Sequence, residues 1–249
     1  MRKGIGGALV VAGLVAVASC GTGETSVPVA AREARLSEQN TSLGVSLLRL
    51  SMPDFPAYDS PEALAADRPI VVAGVIDGWQ QGPATEAYEN GPLDYRVVLR
   101  VRITEPLKGV KATPSLASGV ACIAFDQGPV IRDESVPAER WKPAKSVADF
   151  EKAMPAGTKV LAYPREMPPE ASTGAVRVPG DPLPRDARLM VIPPQGLVLE
   201  DPVLAARRSG SRTALVGGRV PLTDGGAGWL EPRTMDELVA RLKRHGVTE

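Results

Sequence analysis

The sequence of 249 residues contains one histidine, two cysteines and few aromatic side chains, 4% in all. A catalytic zinc site needs three protein ligands, commonly histidines with a carboxylate, and His245 alone cannot supply that set. A Ser-His-Asp arrangement would need the same histidine, and no Gly-x-Ser-x-Gly elbow accompanies it. Excess charge is also missing: 29 basic and 29 acidic residues cancel, whereas a general nucleic-acid binder shows a marked basic surplus. Long helices are excluded in most of the chain, because 24 prolines and 25 glycines interrupt it too often. The glycine-rich stretch Gly225 to Gly228 lacks the strand-to-helix setting and the Lys-Ser/Thr pair of a phosphate loop, and reads as a turn. No metal or cofactor is expected, and nucleic acid is set aside as a partner.

What is present begins at the N-terminus. Arg2 and Lys3 precede a run from Gly4 to Ser19 without a charged side chain, the pattern of a secretory signal. The run is shorter than the roughly 20 apolar residues of a spanning helix, and its Gly and Ala bury little surface. It ends in Val17-Ala18-Ser19-Cys20, which resembles the lipobox of bacterial lipoproteins, with Val17 where Leu is commonest. That resemblance implies diacylglyceryl transfer to the Cys20 sulfur, cleavage before Cys20, and attachment to membrane lipid on the extracytoplasmic face of the cell membrane. Two acyl chains hold a protein on a bilayer where one is marginal. An ordinary secretory signal with a chance cysteine is the bland alternative.

Cleavage removes 19 residues, among them two basic and no acidic ones, and leaves 230 with 27 bases against 29 acids. With Cys20 acylated, Cys122 has no disulfide partner, and its apolar surroundings, Val120 to Phe125, read as a buried strand with the thiol a small core hydrophobe. Residues 20–59 are expected to be the lipid anchor and a flexible stalk, since they show little apolar periodicity. A globular β-rich domain is expected over 60–249.

Within that domain Ser60-Pro61-Glu62 predicts a short helix over 61–67. Ile70 to Ile76 is a β-branched run expected to end at Asp77-Gly78. Tyr95 to Thr104 alternates cleanly, with Tyr95, Val97, Leu99, Val101 and Ile103 on one face and Arg96, Val98, Arg100, Arg102 and Thr104 on the other. Further strands are predicted at Val120 to Phe125, Lys159 to Tyr163, Leu189 to Ile192 and Gly196 to Leu199, and a long surface loop over 164–187. Thr213 to Val220 reads as a hairpin turning at Gly217-Gly218. Capping boxes at Ser146 and Thr234 start two helices, the second running to about residue 244.

This order, with "VVAGVI", "EPLKG", "GTKVLAY" and "TMDELVARL" as its phrases, resembles uncharacterised secreted and lipid-anchored actinobacterial proteins whose core is a small OB-like β-barrel. The expected fold is mainly β, a small OB-like, partly open barrel with short flanking helices, and the alternative is a two-layer α+β domain. Arg96, Arg100 and Arg102 share a strand face and are the candidate binding row, for an envelope protein or an anionic envelope polymer. A solvated strand face is the plainer reading of that row. Asp77, Glu105 and Asp126 lie near strand ends and are candidates for a carboxylate pair, with solvated turn residues the plainer reading. Trp79 fits a contact residue or a core lid equally well. The expected function is a lipid-anchored, non-enzymatic binding module of the cell envelope, and the alternative is an extracytoplasmic carboxylate-dependent hydrolase.

Overall fold

Long antiparallel pairing organises the molecule, a computed structural model that describes residues 29–50, 55–168, 175–207 and 213–249. Strands β1 (Val71–Glu86) and β2 (Leu93–Lys108) form a hairpin of two 16-residue arms. The register slips between Val71 and Val72, Ala73 and Gly74, Ile76 and Gly78, and Gln81 and Ala84. Each slip adds twist and bend to a strand, so the hairpin coils. Gly74 allows one of these kinks, since a Cβ there would lie 2.1 Å from the Arg102 carbonyl oxygen. The expectation that the first strand ends at Asp77-Gly78 is thereby corrected: the strand bends there and continues to Glu86.

The remaining strands extend this hairpin on both sides. They are β3 (Val120–Asp126), β4 (Val130–Ile131), β5 (Lys142–Pro143), β6 (Lys159–Ala162), β7 (Arg165–Glu166), β8 (Val176–Val178), β9 (Leu189–Val191), β10 (Leu197–Glu200) and β11 (Leu215–Gly217). Nine of them form one sheet in the order β11-β10-β6-β1-β2-β3-β9-β7, with β8 beside the far end of β1, and β4 and β5 pair separately. The fold is mainly β, a curled half-barrel, a partly open barrel with a few short helices. The helices are α1 (Val29–Asn40), α2 (Pro61–Asp67), α3 (Val147–Ala153), α4 (Pro202–Ala206) and α5 (Met235–Arg244).

Curling gives the sheet two unequal faces. The concave side is filled by Val72, Ile76, Trp79, Val97, Leu99, Val101, Ile123 and Phe125, with Phe150 and Met154 packed among them. On the convex side α2 and α5 cover Val71, Ala73, Leu161 and Val198 through Leu64, Leu238 and Leu242. Strands β6 and β10 serve both cores: Val160, Ala162, Leu197 and Leu199 point in, while Leu161 and Val198 point out. Burial on both faces is why these strands read as unbroken apolar runs, whereas the centre of β2 alternates.

The helix starts follow local chemistry. Ser60 accepts from the Ala63 amide at α2, Ser146 and Asp149 complete a capping box at α3, and Thr234 accepts from Glu237 at α5.

The described part of the expected stalk, from Val29, is instead built into the domain. Ala34 and Ser37 of α1 are buried, and the Ser37 hydroxyl donates to the Thr213 carbonyl at 2.7 Å. Leu43, Val45 and Leu48 enter the concave core. Asp201, fully buried, accepts from the Thr41 hydroxyl at 2.7 Å and from the Ser42 amide at 2.5 Å. The polar fixings are bonds to residues far away in sequence, just outside strands β10 and β11, so the segment shows no periodicity of its own. Tyr58 is also tied down: its amide donates to Gln195 Oε1 and its carbonyl accepts from Gln195 Nε2.

The expected hairpin at Gly217-Gly218 is not formed. Strand β11 pairs with β10, and the Gly218 amide donates to Leu197. Gly217 is needed for close approach, because a Cβ there would sit 2.0 Å from the Val220 carbonyl oxygen. Residues 164–187 are not a bare loop either, since β7 joins β9 and β8 joins β1.

Candidate functional site

Cys20 and the lipobox lie outside the described residues. Among the described residues no helix is long and apolar enough to cross a membrane.

The three arginines of β2 do share a face, which also buries their neighbours Val98, Cys122 and Ala124. Arg100 is partly covered and pairs with Asp77 at 2.7 Å. Arg96 is partly covered too and points a guanidinium nitrogen at the Met167 sulfur, 3.9 Å away. Only Arg102 of the three is exposed. Among the described residues the row therefore has one arginine in an ion pair, Arg100, one partly covered, Arg96, and one exposed, Arg102.

The candidate acids are not brought together. Asp77 is held by Arg100, and Glu105 pairs with Lys243 at 2.8 Å. Asp126 accepts from the Gly128 amide at 2.7 Å in the turn after β3. Cys122 is buried opposite Arg100, and burial pushes its thiol pKa up while the nearby Arg100 charge pulls it down. Trp79 is a core residue: its indole donates to the Met154 carbonyl at 2.9 Å, and its ring packs on Phe125 and Phe150. His245 caps the C-terminal end of α5. Among the described residues no group of three or more His, Cys, Asp or Glu could hold a metal.

Among the described residues two partly enclosed hollows, beside a wider and more open depression, are candidate sites. The first is a groove of about 380 Å³ between α5 and the sheet, floored by Ala73, Gly74 and Val75. Its cations are answered: Lys159 meets Asp236 at 3.0 Å and Glu200 at 3.5 Å, and Lys243 meets Glu105. The second is a cleft of about 450 Å³ at the end of the half-barrel where β2 begins and β3 finishes. Its walls come from Leu47 to Leu50, Asp94, Phe125, Asp126, Gly128, Lys145 and Arg219.

The charges of the cleft behave differently. Asp94, Asp126, Lys145 and Arg219 make no ion pair within 4.0 Å among the described residues. Arg219 leans over the Phe125 ring, 6.0 Å from its centre, and donates through Nη1 to the Ile192 carbonyl at 2.9 Å. Among the described residues its Nε is buried without a hydrogen-bond partner, as are Nη1 of Arg49 and, outside the cleft, Nε of Arg68 and of Arg100. Burial lowers the pKa of Arg219, and the charge of Asp126 acts the other way. Arg49 is the exception among the cations, being held by Glu38 of α1. Burial in turn raises the pKa of Glu38, against the attraction of Arg49 and amide bonds from Gly217 and Leu222.

No family model, curated protein or solved structure matches this chain. The cleft therefore stands on its own geometry. Sequence reasoning found only Asp126 of its four unpaired charges. Lys145 sits one residue before a helix cap, and Arg219 follows two glycines, positions that carry no periodic signal. Asp94, just before the alternating run of β2, is the one further residue a strand-end search could have reached.

Proposed function

We propose that the chain is a lipid-anchored binding protein of the bacterial cell envelope, held by an acylated Cys20 at the extracytoplasmic face of the membrane. It binds an anionic envelope polymer without transforming it. The anchor is supported by the charged start, the uncharged run to Ser19 and the small residues before Cys20. The binding role is carried by one observation, the pair of cations, Arg219 and Lys145, that share a cleft without an ion pair among the described residues. A charged group that is partly desolvated and unpaired is costly, and a ligand anion removes that cost. The row Arg96, Arg100 and Arg102 ranks below the cleft, because Asp77 already answers Arg100.

Carboxylate-dependent hydrolysis is the second reading, favoured by the presence of Asp94 and Asp126 in the same cleft. Fatty-acid labelling of cells tests the anchor: the wild type takes up label, and Cys20→Ala loses both label and membrane attachment. An unlabelled wild type defeats it. Pull-down of envelope polymer tests the binding role, with Arg219→Met and Lys145→Met each recovering less than wild type. Equal recovery removes the cleft from the reading, capture of a protein alone changes the partner class, and cleavage of the polymer that Asp94→Asn abolishes favours the hydrolase.

A further inference from the structure

We infer that the cleft takes a phosphate ester that brings its own hydroxyl or ammonium donors, with the phosphate at Arg219 and Lys145 and the donors on Asp94 and Asp126. This rests on the binding reading above and narrows it to a ligand class.

The argument starts from the balance of charges in the cleft. Two cations and two carboxylates without an ion pair among the described residues line one hollow. A bare anion would gain the cations but meet the carboxylates. A bare cation would meet Arg219 and Lys145. A neutral polyol would leave the buried guanidinium uncompensated, although burial is what disfavours its charge. Only a ligand with an anionic end and a donor end satisfies both pairs.

Stereochemistry favours phosphate over carboxylate at the anionic end. Phosphate offers several acceptor oxygens in different directions, so it reaches a planar guanidinium and a separate ammonium together. At the donor end, Asp126 already spends Oδ1 on the Gly128 amide, and its other oxygen is left for a ligand hydroxyl or ammonium. The Phe125 ring beneath Arg219 gives the carbon stem of the ester an apolar wall. The volume lies within the usual range for small-molecule sites, about 300–1,000 Å³, and suits a glycerophosphate-sized unit. The cleft also adjoins a shallow depression that shares Leu47 and Lys145 and adds Ser42, Ser46 and Lys152. A second unit of a phosphodiester chain has room there.

Titration calorimetry on the mature, acylated chain in detergent tests this with three probes: sn-glycerol 3-phosphate, inorganic phosphate and glycerol. Glycerol 3-phosphate is expected to bind at least about tenfold more tightly than inorganic phosphate, and glycerol gives no heat. Arg219→Met and Lys145→Met each weaken the ester about tenfold with an unchanged circular dichroism spectrum. Asp126→Asn narrows the preference for the ester, because it removes both an acceptor and a repulsion toward bare phosphate. Equal affinity for ester and phosphate, or an unchanged preference in Asp126→Asn, overturns the ligand class and leaves the binding reading to its own pull-down. No heat with any probe at millimolar concentration overturns the inference as well. Where the ester binds, competition by phosphatidylglycerol vesicles but not phosphatidylcholine vesicles, whose headgroup has no donor, assigns the source to lipid. Competition by neither assigns it to a polymer or a free ester.

Discussion

The groove under α5 and the cleft at the barrel end are hollows of similar volume, about 380 and 450 Å³, and both are lined by lysines or arginines together with acids. In the groove each lysine finds a carboxylate within 3.5 Å or less. In the cleft Lys145 and Arg219 find none within 4.0 Å among the described residues, although Asp94 and Asp126 share its walls. Closed pairs belong to a surface that holds its helix in place, and open ones to a surface that is incomplete alone. Charge content does not separate the two hollows, but charge satisfaction does.

The contrast depends on the segment Thr41 to Leu50, which supplies Leu47 to Leu50 to the cleft and is pinned at its start by Asp201. That carboxylate accepts from Thr41, Ser42, Val203 and Leu204, so it caps α4 and anchors the segment together. Asp201→Ala removes a helix cap and leaves several donors unsatisfied, for a loss of about 3 kcal/mol in denaturant unfolding at neutral pH. Burial pushes the Asp201 pKa up, but hydrogen bonds from Thr41, Leu204 and Ser42 outweigh it and hold the group below its ordinary 3.8. Its contribution is therefore complete above pH 3.8 and fades as pH falls through the lowered value. The gap between wild type and Asp201→Ala shrinks on acidification. A gap that instead widens in acid shows that the segment is held by something else.

A smaller effect with the opposite sign is expected at Arg219. An unpaired guanidinium that is largely out of water costs stability, while its bond to Ile192 and its stacking on Phe125 give some back. Arg219→Met keeps the apolar contact and removes the charge, and raises the stability of the ligand-free protein by about 1 kcal/mol in denaturant unfolding. A fall of similar size makes Arg219 a structural residue and ends the distinction between the hollows.

What was readable in the sequence was what local chemistry fixes. Ser60, Ser146 and Thr234 cap helices through bonds to residues three positions on, and β2 alternates because one face of its centre meets the core. The second half of β1, from Trp79 through Gln80, Gln81 and Gly82, carries no alternation and is extended because β2 pairs with it. The segment Val29 to Leu50 was missed for the same reason, since Ser37 and Thr41 bond to Thr213 and Asp201. The cleft is the extreme case: Asp94, Asp126, Lys145 and Arg219 come from separate parts of the chain, and long-range packing, beginning with the pairing of β2 and β3 that sets Arg96 opposite Asp126, brings them to one hollow. The arginine row was readable as a face, but not as one that Asp77 and Met167 partly occupy.

The smallest effect is expected in the groove, and its smallness is what the contrast requires. Glu105 and Lys243 are 41% and 43% exposed, so water screens their attraction and each side chain gives up rotamer freedom to hold the pair. Glu105→Gln therefore changes stability by less than about 0.5 kcal/mol, and a double-mutant cycle with Lys243→Met gives a coupling of the same size. At about 1 M salt, where the screening length falls to about 3 Å, the coupling disappears. Ester binding at the cleft stays unchanged in both variants, because neither residue lines it. A coupling above about 1.5 kcal/mol, or one indifferent to salt, would place the pair in a desolvated and structural setting. The groove would then hold strongly interacting charges of its own, and the absence of pairing in the cleft could no longer be read as the mark of a binding site.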